Sequence, residues 1–410
     1  MFALKPLFAG LILSASSFLV FAADAPIDYS DTITLGSVTE QVYQRLPGKL
    51  AEGKFSEMQQ ANDVLGNALF AEPATASINH FNDAIGSGDG FQEWEGSVDM
   101  PLWLPGQKQA QQALSDKIIA QLPAYQQYLR LQASGEVRDL IWQVKLAEVR
   151  LEQARLAWET AKKLEQDVAS RVKAGDLAEN ERLLASSNTL QAHSQMAAAE
   201  SALAQQLKTY TLLTGLDTLP VNVSEALSDQ AQVMSSHPAL LMQDQMIDRL
   251  RAEMDLARYK GSVNPSVSLG LRRERGDDSE SFNHSLGIGL SIPLDNKRYS
   301  QLAIAETSAA LADAQVRRQE VERELNKQFL ASRESLMATQ RQLELAIQQD
   351  LTTRQYYDLQ KRAFDLGEIN LIDLLRSQAL ANESRSRKRE LEVLIEQKKA
   401  LINQALGLVL

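Results

Sequence analysis

Few side chains in this chain could take part in catalysis or metal binding, and they do not cluster along the sequence. The histidines lack the His-x-His or paired-carboxylate spacing that metal ligation needs, and no cysteine is present to form a thiolate ligand or a disulfide. Met242 and Met246 stand four residues apart, a spacing that favours packing on a helix face over a ladder of soft metal ligands. The chain has neither a nucleophile elbow nor a phosphate-binding loop. The sequence therefore predicts no enzyme, no cofactor and no metal site; the isolated histidines are His80, His193, His237 and His284.

Two acidic residues occupy matching positions and are the strongest candidates for a functional role. Glu181 lies six residues after Gly175, and Asp373 lies six residues after Gly367. Each glycine follows a long helical pattern, so each acid is expected in the first turn of a returning helix. Because a helix dipole favours negative charge at that end, a purely structural role remains an alternative for both acids.

Composition narrows the class of protein. The chain has 410 residues, of which 44% are hydrophobic and 23% charged, as in folded proteins. Only 6% are aromatic, and Ala, Gln, Leu, Glu and Arg dominate its middle and end, which is typical of long helices. The net charge of −11 argues against a nucleic-acid partner.

The first 23 residues have the pattern of a signal peptide. Lys5 precedes an apolar stretch from Leu7 to Val20, and small residues follow at Ala22 and Ala23. A membrane anchor is the alternative, but serines interrupt the apolar stretch. Because no later stretch offers about 18 uninterrupted apolar residues, a bilayer could be crossed after cleavage only by strands.

Two very long helices are predicted, each followed by a returning helix. Positions 298–364 contain no glycine or proline and carry apolar residues at helical spacing, which predicts a rod about 100 Å long. A similar pattern reaches about Val172, with a heptad seam between Leu140 and Ala161 that predicts coiled-coil packing. Pro123 lies inside it and predicts a kink or a helix junction.

The order of elements occurs twice, which predicts a tandem duplication. Three landmark residues of the first half return 192 positions later, with Pro101, Gly175 and Gly215 matched by Pro293, Gly367 and Gly407. The predicted organisation is a signal peptide (1–23), a first repeat (24–215), a linker (216–236) and a second repeat (237–410). Each repeat comprises a helix, a strand hairpin and a long helical hairpin.

Each strand hairpin alternates apolar residues with small or polar ones. The strand from Phe282 to Ile292 is the clearest case. A soluble sandwich would need a second sheet, which two hairpins far apart from each other could not supply. A transmembrane barrel fits the alternation and the strand length, and since four strands cannot close one, several chains must share it. Trp94 and Trp103 lie near strand ends and suit either a membrane interface or packing against the helices.

This architecture resembles the TolC-type outer-membrane efflux family. The resemblance covers nearly the whole chain after the signal peptide and includes the segment at 364–375, which is similar to the family's turn before its returning helix. A weaker resemblance to the heavy-metal efflux branch rests on residues 101–107. The resemblance implies a homotrimer that shares a twelve-stranded barrel in the outer-membrane lipid. A helical tube would cross the periplasm to a periplasmic adaptor protein and an inner-membrane pump of the resistance-nodulation-division (RND) type.

The resemblance also implies roles for particular residues. Glu181 and Asp373 would line the periplasmic entrance as rings of carboxylates that favour cations. Arg376 departs from the family pattern, where a second acid often stands, and could form a salt bridge that holds the entrance shut. Gly175 and Gly367 would mark the hairpin tips that meet the adaptor. Residues assigned to the junction between barrel and helices are Pro101, Trp103 and Pro293.

The sequence thus predicts a fold of mixed class, with a long helical coiled-coil barrel joined to a transmembrane β-barrel in a trimer. The predicted function is the outer-membrane channel of a tripartite efflux system that exports small solutes, with metal cations as one cargo. Two alternatives remain at this stage: the outer duct of a type I protein secretion system, and a soluble periplasmic coiled-coil tether or adaptor.

Overall fold

The computed structural model describes residues 28–294 and 297–410, so the predicted signal peptide at 1–23 lies outside the described residues. The first half of the chain contains β1 (Asp28–Ser30), α1 (Leu35–Arg45), a 3₁₀ turn (Pro47–Ala51), α2 (Glu52–Asn67), β2 (Thr75–Asn82), β3 (Gln92–Pro101), α3 (Gln107–Ala174) and α4 (Glu179–Thr214). The second half contains β4 (Thr218–Pro220), α5 (Pro238–Ala257), β5 (Ser266–Arg275), β6 (Asn283–Ser291), α6 (Lys297–Asp365) and α7 (Leu371–Ala405).

The two long rods, α3 and α6, dominate the molecule. They contain 68 and 69 residues, so each is roughly 100 Å long at 1.5 Å per residue. Helix α3 continues through Pro123, so the predicted helix junction is wrong at that position. The residues around the proline are held by tertiary contacts, since Gln121 and Ala124 are both buried and the Gln121 amide donates to the Gln245 carbonyl at 3.2 Å.

Each rod packs along its returning helix, α3 against α4 and α6 against α7, and α3 also contacts α7. The seam predicted for α3 is buried at Leu140, Val144, Ala147 and Ala161. The largest apolar cluster lies where α1, the middle of α3, the end of α4 and β4 meet, and its fully buried members include Val38, Val137, Tyr210 and Leu219. This cluster fixes the middle of α3 to the shorter elements around it.

The segment predicted as a linker, 216–236, is an integral part of this region. Its strand β4 pairs in parallel with β1, and Glu225 forms a buried ion pair with Arg138 of α3, with 2.7 Å between Nη2 and Oε2. The side-chain amide of Asn403 on α7 donates to the same Glu225 carboxylate at 3.1 Å and to the Ala226 carbonyl at 2.9 Å. The two halves of the chain are therefore joined by a satisfied polar network.

The four long strands form one antiparallel sheet with the order β2-β3-β5-β6. Strand β3 pairs with β5 over ten residues, with Val98 opposite Leu269. The expectation of two hairpins far apart is therefore wrong, because the hairpins lie side by side and share backbone hydrogen bonds. Among the described residues, no helix has the length and apolar character that a membrane-spanning segment requires.

His237 caps the N-terminus of α5 and is a buried group that can titrate. Its Nδ1 accepts a hydrogen bond from the Ala239 amide at 3.1 Å, whereas its Nε2 is buried with no partner in the described part of the chain. Burial lowers the pKa of His237 to about 4, because a buried imidazole loses the hydration of its charged form.

We predict that His237 destabilises the fold as the pH falls below 6.5. The neutral form is native and the unfolded chain binds the proton more readily, so stability is fully present above the unfolded pKa of about 6.5 and is lost towards pH 4. Between pH 7.5 and pH 5 the loss should be about 2 kcal/mol. In denaturant titrations, the free energy of unfolding should fall between these two pH values by about this amount more in wild type than in H237N, which retains a helix-capping side chain. An equal fall in both proteins would contradict the prediction.

Candidate functional site

The tips of the two helical hairpins are built in the same way. Gly175 and Gly367 have φ angles of 87° and 76°, in the left-handed region that side chains other than glycine rarely adopt. In each turn the glycine amide donates to the carbonyl three residues earlier, at 3.0 Å, and the next amide donates five residues back, at 2.9 Å. Both rods thus end in a Schellman motif, and the backbone reverses within a few residues.

The two tips pack against each other through a shared apolar cluster, which we call the tip cluster. Val168 and Ala185 come from the first hairpin, and Phe364, Leu371 and Leu374 come from the second. All five are at least 97% buried within the chain. The far ends of the hairpins therefore form one unit and are not independent arms.

An ion pair at the edge of the tip cluster joins the ends of the rods. Arg171 Nη2 lies 2.7 Å from Asp365 Oδ1, and the same guanidinium donates to the Phe364 carbonyl at 3.4 Å and stands 5.2 Å from the centre of the Phe364 ring. We call this contact the tip clasp. Sequence reasoning missed it, although a cation and an acid in the last turns of two rods of nearly equal length were a usable signal.

The predicted gate residues lie beside this cluster. Glu181 and Asp373 are in the first turns of α4 and α7, and the Asp373 amide donates to Asn370 Oδ1 at 2.9 Å. Arg376 lies on the same helix as Asp373, with 3.8 Å between Nη1 and Oδ1, and is largely exposed. Glu181 Oε2 is buried and has no hydrogen-bond partner among the described residues. The tip cluster thus holds both acids at one end of the molecule, although Arg376 does not join the two hairpins.

A second charged site lies deeper between α6 and α7 and was also missed from the sequence. Asp350 is only 1% exposed, and its carboxylate accepts a hydrogen bond from the Arg354 guanidinium on the same helix at 2.8 Å. Lys388 Nζ on α7 lies 3.5 Å from its other carboxylate oxygen. Next to it the hydroxyls of Thr353 and Ser384 are 2.5 Å apart and share a hydrogen bond across the hairpin. Two cations and the polar contacts beside them compensate this buried charge.

The four-stranded sheet presents two very different faces. On one side, the apolar face, the residues nearer the helices are mostly apolar and widely exposed, with 71% exposure for Leu286 and 75% for Ile288. The opposite, polar face carries the acids of the described strands, Glu93, Glu95, Asp99 and Glu274. There Arg272 bridges Glu93 at 2.7 Å and Glu274 at 2.6 Å.

The residues assigned from sequence to the junction of barrel and helices lie in or next to the short segments that lead from β3 into α3 and from β6 into α6. Pro101 ends β3, and its carbonyl accepts from the Ala71 amide at 3.0 Å. The Trp103 indole is half-buried and donates to the Ala68 carbonyl at 3.1 Å, so it packs against the helical part. Pro293 lies two residues after the end of β6, the strand at one edge of the sheet. Trp94 lies near the opposite end of the strands, exposed on the apolar face.

Residues 28–294 and 297–410 contain no group of three histidine or acidic side chains that could hold a metal ion. Met242 and Met246 line a mostly apolar cavity of about 650 Å³ between α2, α3, α5 and α6. The arrangement offers surfaces and charged positions that could guide a solute.

Residues 230–408 match the family model described as outer membrane efflux protein. The resemblance to the TolC-type outer-membrane efflux family is thereby confirmed over these residues, and the match agrees with the predicted localisation in the outer membrane. Members of the matched family are channels, which agrees with the prediction that the chain is not an enzyme. A sequence search among curated proteins found no match.

Solved structures of channels share the fold over nearly their whole length. CusC superposes with a TM-score of 0.70 at 13% identity, covering 93% of both chains. The outer-membrane channel OprN gives 0.69 at 16% identity and covers 98% of both chains. The CmeC outer membrane channel of Campylobacter jejuni gives 0.68 at 14% identity, covering 91% of this chain and 85% of its own. At such identities the likeness establishes the fold.

We predict that the tip clasp contributes about 0.5–1 kcal/mol to the association of the two hairpin tips, as a partly exposed ion pair should. In a double-mutant cycle of R171Q and D365N, read from amide exchange of residues 164–185 and 357–375, the two changes should be non-additive. R182Q is the matched control, because Arg182 pairs with Glu179 within α4. Additive effects of the clasp changes would show that the ion pair does not couple the hairpins.

Proposed function

We propose that this chain is the outer-membrane channel of a tripartite efflux system and works as a homotrimer. The observation that carries the proposal is the sheet: its apolar face is exposed, its polar face carries charge, and it stands at the end of rods about 100 Å long. An apolar face of this size is expected to meet lipid or another protein surface. A soluble tether would have to expose this apolar face to water, which is unfavourable.

The edges of the sheet support the trimer. In the described part of the chain, β2 and β6 each pair along one side only, so the sheet has two open edges. The strand directions alternate, and placing β6 of one copy beside β2 of the next continues the antiparallel pattern. Three copies of four strands give twelve, enough to close a barrel, whereas four strands are too few. The apolar face would then meet lipid and the polar face would line water.

The proposed cargo is a small solute, driven by an inner-membrane pump of the RND type through a periplasmic adaptor. On the polar face the four acids outnumber Arg272, so the strand segment of the channel favours cations, among them metal cations. We propose the tips around Gly175 and Gly367 as the adaptor contact, because they are the ends of the rods farthest from the sheet. An outer duct for type I secretion is the second candidate, since the same family resemblance allows it.

At the tips, we propose Glu181 and Asp373 as the entrance. Three copies would place six carboxylates around the axis, a ring that attracts cations. Arg376 lies close enough to Asp373 to reduce this negative potential. The buried, unpartnered Oε2 of Glu181 supports a role beyond helix capping, because an isolated carboxylate oxygen is costly to bury.

The trimer is tested by cross-linking, for which the absence of native cysteine is an advantage. Ser77 lies on β2 at the level of Gly287 on β6. We predict that S77C combined in turn with S285C, G287C or G289C will give, after oxidation in membranes, a covalent species of three chains in at least one pair. S97C with G287C is the matched control, because β5 separates these positions. If the chain stays uncross-linked in all three double-cysteine variants, the shared barrel is contradicted.

The entrance is tested in planar bilayers. Replacing Glu181 or Asp373 with alanine should lower the preference for cations or change the single-channel conductance, because each removes three charges from the proposed ring. The controls E181D and D373E keep the charge and should retain wild-type selectivity, whereas R376A should raise the cation preference. Wild-type conductance and selectivity in both alanine variants would remove the gate assignment.

A further inference from the structure

One row of side chains crosses the whole sheet near the hairpin ends that lie farthest from the helices. The strand register sets His80 of β2 opposite Trp94 of β3, Trp94 opposite Arg273 of β5, and Arg273 opposite His284 of β6. All four side chains are exposed and lie on the apolar face. We call them the headgroup row. The imidazole of His80 stacks on the indole of Trp94, with ring centres 4.0 Å apart.

The charge in this row stands out from its surroundings. On the apolar face of the four described strands the charged residues are Arg273 and, one step nearer the tip, Arg275, and no acid lies on that face. Arg275 pairs with Asp278 at 2.6 Å, whereas Arg273 makes no ion pair with any described residue. Its guanidinium lies over the Phe282 ring, 3.9 Å from the centre, which leaves its donors available.

The row also lies at a meaningful distance from the helical end of the sheet. Arg273 is seven residues beyond Ser266, where β5 begins, which corresponds to roughly 23 Å along a strand. Transmembrane barrels have an apolar band about 25 Å tall with aromatic girdles at both interfaces. Between these levels the apolar face of β5 consists of Val267, Leu269 and Leu271. The headgroup row is therefore placed at the far interface and not within the hydrocarbon.

A groove beneath the row completes the site. It has a volume of about 480 Å³, and the outward side chains along it are those of Ile78, Trp94, Leu271, Arg273, His284 and Leu286. Its floor and lower wall are apolar, while hydrogen-bond donors and the unpaired cation lie at the upper end. This is the shape of a site for an amphiphile that has acyl chains below and an anionic head above.

From these contacts we propose that the headgroup row binds the phosphate of a membrane lipid in the leaflet facing away from the helices. Arg273 would pair with the phosphate, Trp94 and His284 would donate hydrogen bonds around it, and an acyl chain would lie along Leu271 and Leu286. His80 stacks on Trp94, while its own ring nitrogens are bonded to the Glu93 carbonyl and the Asn82 side-chain amide. The proposal rests on the proposed function, because it requires the apolar face to meet lipid.

The experiment compares two lipids with identical acyl chains on delipidated protein in detergent, with bound lipid counted by native mass spectrometry. Phosphatidylglycerol carries the phosphate, and monoglucosyl diacylglycerol carries none. Wild type should retain phosphatidylglycerol in preference, and R273Q should reduce that preference roughly fivefold, the effect of one cation near an anionic surface. R273K should retain most of the preference, since it keeps the charge.

Arg272 provides the matched control. It is the next residue on β5 but lies on the polar face, bound to Glu93 and Glu274. R272Q should keep the wild-type lipid preference. Equal preference in wild type and R273Q, or an equal loss in R272Q, would overturn the proposal.

Conductance of the same preparations separates this proposal from the proposed function. R273Q should form channels of wild-type conductance in planar bilayers, because the change lies outside the conduit. A wild-type protein that forms no channel would overturn the proposed function, whereas channels without any preference for the phosphate lipid would overturn the headgroup row alone.

Discussion

Backbone hydrogen bonding at the edges of the sheet is the constraint on which the rest of the structure depends. Within residues 28–294 and 297–410, the outer edges of β2 and β6 pair with no further strand and lie beside an apolar face that water solvates poorly. Open edges of this kind are a liability in water and cannot exist in lipid, where every backbone group must be satisfied. In the proposed trimer, closure with further copies of the chain would satisfy both requirements together. The helical rods would then follow the same symmetry, because they begin a few residues after the strands end.

The long helices were predictable from the sequence because their signals are local. Helical periodicity and the absence of glycine and proline set the extent of α6, and the turn glycines set its end. The strands were also predictable, since alternation survives in β6 almost without exception. A helix junction at Pro123 was wrongly predicted, because packing on neighbouring helices outweighs one missing backbone hydrogen bond, whereas a kink there stays a prediction. The pairing of β3 with β5 was invisible because their separation in the chain exceeds 160 residues.

The charged contacts at the tips and within the second hairpin were harder to foresee. Arg171 and Asp365 stand 194 residues apart and meet only because two rods of nearly equal length end at one level. Asp350 is one acid among many on a polar helix, and nothing in its immediate sequence distinguishes it from its exposed neighbours. Glu181 and Asp373 could be singled out by their matching positions, but their role depends on how copies of the chain meet. Such contacts are properties of the assembled fold more than of any segment.

The buried carboxylate of Asp350 limits how the second hairpin can deform. If α7 slid along α6 by one helical turn, Lys388 would leave the carboxylate, and the buried charge would keep only one of its two compensating cations, Arg354 on α6. The hydroxyl contact between Thr353 and Ser384 would break in the same step. Shear within this pair of helices is therefore unfavourable, and the pair acts as a stiff lever. In the proposed channel, widening at the hairpin tips would therefore require α6 and α7 to move as one body about their attachment in the middle of the molecule.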